Sequence, residues 1–115
     1  MIRAVVLLTQ QHAVSRDEFL HLVDSADYVT LFVTKSNVRK IDAATYVGKG
    51  HIDFLLETCA FIKPDVILVD VALSARHTRN IQKKLCVDLV DRTELILRIF
   101  EKRATSFEGK LQVEL

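Results

Sequence analysis

Apolar residues fall along this chain in runs that alternate between two periods. Ala4 to Thr9 is a continuous apolar, β-rich run, the pattern of a strand buried on both faces. Ser15 to Ala26 has helical spacing, with Phe19, Leu20 and Val23 on one face, and Ser15 with Glu18 reads as an S-x-x-E capping box. Tyr28 to Thr34 is strand-like in its β-branched and aromatic content. A polar stretch from Lys35 to Thr45 leads to Tyr46–Gly50. Ile52, Leu55, Leu56 and Cys59 then recur at i, i+3, i+4 and i+7, which predicts a second helix that Lys63-Pro64-Asp65 ends. Val66 to Val69 is a third buried strand closing on Asp70. Ser74 is placed to cap a third helix running to Leu85, with Ile81 and Leu85 turned inward. Val87 to Val90 is a short fourth strand closing on Asp91. Thr93 is placed to cap a fourth helix whose Leu95, Ile96, Ile99 and Phe100 face the core.

The order βαβαβαβα predicts a small three-layer α/β domain. Its four-stranded, mostly parallel sheet carries helices on both faces, joined by right-handed crossovers. A strand order of 2-1-3-4 suits four βα units. The candidate linker is Thr105 to Gly109. Beyond Gly109, Leu111, Val113 and Leu115 alternate like a strand, whereas Phe107, Leu111 and Leu115 are spaced like a helix.

Composition narrows the picture. A chain of 115 residues, 50% apolar with three glycines and one proline, fits one compact domain rather than a disordered segment. A formal charge of +1 carries no global polyanion signal, so any nucleic-acid contact rests on a local patch. Cys59 and Cys86 lie in helical patterns without CxxC spacing and read as buried thiols, which suits a reducing cytoplasm. The apolar run at the N-terminus is too short for a signal peptide or a membrane span.

In an open parallel sheet, ligands sit beyond the carboxyl ends of the strands, near the point where strand order reverses. Those ends supply Thr9-Gln10-Gln11, Thr34-Lys35, Asp70 and Asp91. Gly48-Lys49-Gly50 stands at the start of the second helix, where backbone amides favour anions and the lysine adds a point charge. It is neither a GxxxxGK[ST] loop nor a GxGxxG turn, and a plain Gly-rich turn is its bland reading. Asp70 and Asp91 form a conceivable acid/base or Mg²⁺ pair lacking a third ligand. A phosphoacceptor receiver domain would need an acidic pair after the first strand, where this chain has Thr9-Gln10-Gln11, and is rejected. His12, His21, His51 and His77 are scattered outside any zinc pattern, and no GxSxG nucleophile turn exists. Arg92, Arg98, Lys102, Arg103 and Lys110 are candidate RNA contacts, interleaved with Glu94, Glu101 and Glu108 as on a solvated helix face.

Three blocks carry a resemblance. TYVGKG (Thr45–Gly50), VILVDVALSARHTRNIQKKL (Val66–Leu85) and DRTELILRIFEKRATSFEGKLQVEL (Asp91–Leu115) stand in the order found in the N-terminal domain of the HflX family of ribosome-associated translational GTPases. The third block is the most specific. The resemblance implies that residues 1–104 form the N-terminal α/β domain and that residues 105–115 begin the connection to a helical hairpin. It also implies association with the large ribosomal subunit (rRNA), a GTPase domain as partner in cis or trans, a cytoplasmic location and, for this domain, ATP binding. The family's YxGKG loop falls on Tyr46, Gly48, Lys49 and Gly50, and its DRT turn on Asp91, Arg92 and Thr93. The chain departs from the pattern at Val71, Ala72 and Ala75, where the family usually has acidic residues and a proline, and at His51, where lysine is common. The missing acids weaken a magnesium–nucleotide role.

The Walker-A loop, switch regions and base-specificity motif are absent, so GTP hydrolysis is not assigned to these residues. Three readings follow. One is a non-catalytic ribosome-association and GTPase-regulating module that requires no cofactor. Another is a small ATP-binding domain, with Mg²⁺, that hydrolyses weakly or not at all. The third is an interaction domain that self-associates through the apolar stripe of Phe107, Leu111 and Leu115.

Overall fold

The computed structural model describes the backbone of residues 2–10 and 13–114 and the side chains of residues 2–10 and 14–104. Four strands, β1 (Ile2–Leu8), β2 (Tyr28–Lys35), β3 (Val66–Val69) and β4 (Asp88–Val90), alternate with four helices, α1 (Ala13–Ser25), α2 (Lys49–Ile62), α3 (Ala75–Leu85) and α4 (Arg92–Glu114). The strands form one parallel sheet in the order β2-β1-β3-β4, as the sequence predicts.

Alternation along β1 divides the core in two. Ala4, Val6 and Leu8 point to one face and pack with Phe19 and Val23 of α1 and Leu95 and Ile99 of α4. Val5 and Leu7 point to the other and meet Ile52 and Leu55 of α2 and Ile81 and Leu85 of α3. Central strands therefore read as unbroken apolar runs, because both faces are covered. Burying each of the Val, Leu, Ile and Phe side chains among these stabilises the fold by roughly 1.5–3 kcal/mol before chain entropy is counted.

Several expectations shift. α1 begins at Ala13, so Ser15 lies inside the helix rather than at its cap, and Glu18 pairs elsewhere. Ser74 caps α3 as expected, its hydroxyl accepting from His77 N at 3.1 Å. The cap of α4 is Asp91, not Thr93: its carboxylate accepts from Glu94 N at 2.9 Å. Leu56 is 46% exposed and Phe100 63% exposed, because each lies just off the stripe that touches the sheet. Cys59 is buried, and burial raises its pKa above the ordinary thiol value. Cys86 is exposed, because it is the left-handed residue (φ 55°) that ends α3 and turns away from the core. The backbone stays helical through Thr105–Gly109 and on to Glu114, so helical spacing prevails over strand alternation there. The side chains of Phe107, Lys110 and Leu111, and the whole of Gln11, His12 and Leu115, lie outside the described residues. No helix among the described residues is long and apolar enough to cross a membrane.

Candidate functional site

Strand order reverses between β1 and β3, and the loops that leave those two strands part at their carboxyl ends. A cleft of about 260 Å³ opens there, lined by Gln10, Ser15, Glu18, Asp70, Val71, Ala72 and Arg92. The pattern of strand ends predicts Asp70 at this place. Gln10 stands among the predicted strand-end residues, but Ser15 and Glu18 do not, since a capping role accounts for them in sequence. Only the packing of α1 beside the β3–α3 loop brings them to the cleft.

Asp70 is 3% exposed. One carboxylate oxygen accepts from Thr9 N at 2.8 Å and from the Thr9 hydroxyl at 2.6 Å, and the other accepts from Gln10 N at 3.1 Å. The carboxylate thus ties the β1–α1 loop to the end of β3, and its hydrogen bonds offset the cost of burying it. Asp91 is engaged in the same way. Its oxygens accept from Leu73 N and Glu94 N, each at 2.9 Å, joining the β3–α3 loop to the first turn of α4. Neither aspartate presents an open pair of oxygens, and Asp91 does not line the cleft. The donor set therefore does not fit a Mg²⁺ ion held by this pair. Among the described residues no group of three or more His, Cys, Asp and Glu side chains is arranged to hold a metal.

Arg92 crosses the mouth of the cleft, its Nη2 2.6 Å from Glu18 Oε1. With Asp70 and Glu18 against one arginine, the lining carries a formal charge of −1. Without a cation it opposes a polyphosphate.

Gly48, Lys49 and Gly50 lie apart from this cleft, at the start of α2 on the opposite face of the sheet. The loop before them is held firmly. Asp42 and Tyr46 exchange backbone hydrogen bonds at 3.0 Å, with Tyr46 left-handed at φ 66°. Asp42 Oδ1 accepts from Ala44 N and Thr45 N, which keeps its pKa below the ordinary 3.8. Asn80 Nδ2 donates to Ala44 O at 2.8 Å, and the His77 ring stands edge-on to Tyr46 at 5.7 Å. α3 thereby positions the TYVGKG segment, an anchoring that sequence spacing does not reveal.

Gly48 caps α2 with φ −66° and ψ 161° and offers no side-chain cap to the first-turn amides. A Cβ added at Gly48 or Gly50 meets nothing within 4 Å, and neither glycine has positive φ. The fold itself therefore requires glycine at neither position.

Among the described residues the predicted cations do not form one open patch. Arg98 donates to Glu94 Oε1 at 3.2 Å and to the Tyr28 hydroxyl at 3.1 Å. Lys102 pairs with Asp27. Arg103 lines a groove between α1 and α4 with Leu22, Ile96 and Phe100. Lys110 lies outside the described side chains.

Residues 13–101 match the GTP-binding GTPase N-terminal family. The chain belongs to the HflX family, through the N-terminal domain of these GTPases. It is 37% identical over 111 residues to the GTPase HflX of Thermococcus kodakarensis, covering 96% of this chain and 25% of the relative. It is 39% identical over 98 residues to that of Escherichia coli, covering 85% and 23%. The chain thus spans about a quarter of the length of the curated relatives it matches. Among solved structures it is similar to SsGBP in complex with GDP, with a TM-score of 0.72 and 23% identity over 99% of this chain and 33% of that one. A GTP-binding protein from Sulfolobus solfataricus, also with GDP, gives a TM-score of 0.66 over 87% of this chain and 30% of that one, at 20% identity. At these identities the likeness establishes the shared fold.

Proposed function

We propose that this HflX-type N-terminal domain is a non-catalytic module that helps a GTPase associate with the large ribosomal subunit and regulates its turnover. The observation that carries the reading is the family match over residues 13–101 in a sequence whose described residues form a four-stranded parallel sheet and which contains no Walker-A loop. The paired cations set the expected strength. Arg98 and Lys102 must each give up an intramolecular acid to reach a phosphate, so contact through α4 is weak and sensitive to salt. Co-sedimentation with purified large subunits tests this, using the 115-residue chain and the same chain joined to an HflX GTPase half. The expected result is binding at low salt that weakens several-fold in the joined protein when Arg98 and Lys102 are both changed to Ala. Absence of subunit binding by both proteins at low salt overturns the reading.

A second reading, nucleotide binding at the start of α2, rests on the glycines. Gly48 and Gly50 answer no packing or backbone need within the chain, and they leave uncapped amides beside Lys49 open to an approaching phosphate. Magnesium held by Asp70 and Asp91 has no part in it. Calorimetry with ATP, with and without Mg²⁺, distinguishes the two readings. Heat abolished by Lys49→Ala supports nucleotide binding, and heat unchanged by that substitution, or no heat at all, removes it.

A further inference from the structure

β2 is an edge strand, hydrogen-bonded to β1 on one side alone among the described residues. It is also the longest strand of the sheet, with eight residues, Tyr28–Lys35. The opposite edge is protected by brevity and charge, since β4 has three residues and opens on Asp88. β2 has neither protection. Between Tyr28 and Thr34 it contains no charge and no proline. Val29, Leu31, Phe32 and Val33 are each 36–38% exposed, so apolar side chains flank the free backbone edge. The ladder to β1 skips Leu31, a bulge that interrupts the strand once without adding charge. Phe54 of α2 stands 6.3 Å from Phe32, extending the apolar surface beside the edge.

We infer that β2 is an interaction edge whose partner is a second copy of this chain, added antiparallel so that two four-stranded sheets become one of eight. Charge selects both partner and direction. The ionisable groups next to the strand are Asp27 before it and Lys35 at its end. Antiparallel pairing of two copies about the point between Leu31 and Phe32 sets Tyr28 opposite Lys35 and brings each Lys35 beside Asp27 of the other copy. Parallel pairing would place lysine against lysine. Asp27 already meets Lys102 of its own chain, so Lys35 joins a mixed-sign cluster rather than a bare acid. The same register sets Val29 opposite Thr34 and Thr30 opposite Val33, β-branched pairs that favour a ladder. A two-fold arrangement of this kind closes on itself and stops at two chains.

The test is the mass of the 115-residue chain by light scattering from low to high micromolar concentration. The expected mass rises from one chain to two and then levels. Leu31→Lys places a charge on the exposed edge and returns the mass to one chain. Val29→Lys does the same, and circular dichroism confirms that each variant is folded. Phe100→Lys, on the exposed face of α4, leaves the dimer intact. Concentration-dependent protection of β2 amides from hydrogen exchange accompanies the mass change. A single-chain mass throughout, growth past two chains, or a dimer that survives both β2 lysines while Phe100→Lys abolishes it overturns the inference. The last outcome moves the contact to α4.

Discussion

At Asp70 one carboxylate holds three donors from the β1–α1 loop, which makes it a structural tie at the site where a ligand-binding acid is expected. Asp70→Asn keeps the shape but turns an amide NH₂ toward backbone or hydroxyl donors. It should lower the unfolding free energy by about 1–3 kcal/mol, read from urea melts. His51 gives a pH signature. Its Nε2 is buried without a hydrogen-bond partner, and burial pushes its pKa below the ordinary 6.5. The unfolded chain therefore binds the proton more readily than the folded one. The His51 contribution is complete above 6.5 and is lost as pH falls below that value toward the lowered folded pKa. Urea midpoints measured from pH 7.5 down to about 5 should fall less in His51→Gln than in the unaltered protein.

Helix ends and helix faces carry the next set of outcomes. Asp91 caps α4 and also holds Leu73 N, so Asp91→Ala removes two hydrogen bonds at once. A loss of about 1–2 kcal/mol is expected, against less than 0.5 kcal/mol for Thr93→Ala, which the sequence pattern favours as the cap. Neighbours in α2 divide as sharply. Leu55 is fully buried and Leu56 is 46% exposed. Leu55→Ala should cost about 2–5 kcal/mol and Leu56→Ala under 1 kcal/mol in the same denaturation assay. The i, i+3, i+4, i+7 rule names both leucines because an apolar stripe is wider than the line of contact. It cannot say which edge of the stripe meets the sheet. Tertiary packing decides, through Ile52, Leu55 and Cys59 lying against Val5, Leu7, Ile67 and Val69.

Across the whole molecule, the sheet separates two cores that share strands but not side-chain faces. Val23 lies in one core and Ile81 in the other. The stability losses of Val23→Ala and Ile81→Val should add to within about 0.5 kcal/mol in the double variant, because the two clusters share no side chain among the described residues. A coupling above 1 kcal/mol would show that the layers do not respond independently. The candidate sites divide along the same plane. The cleft with Asp70, Glu18 and Arg92 stands between β1 and β3 beside α1 and α4, whereas the Gly48-Lys49-Gly50 turn belongs to the α2–α3 side. The strand-end acid Asp70 and the helix-start Gly48-Lys49-Gly50 turn, both candidates for a nucleotide in the sequence, are thus two separate features.

The element order, the parallel sheet and the family were legible in the chain itself, whereas the strand order, favoured as 2-1-3-4, was settled by the sheet. Buried strands and amphipathic helices write their periods locally, and a run such as EGKLQVEL is specific without coordinates. What the polar residues do emerges from the packing of distant loops. Asp70 finds its donors 60 and 61 residues away, and Arg92 meets a glutamate 74 residues away. Asn80 anchors a loop 36 residues back. A carboxylate reads the same in sequence whether it awaits a metal or holds a backbone amide. The difference lies in which loops the crossovers bring beside it, and a one-dimensional pattern does not carry that.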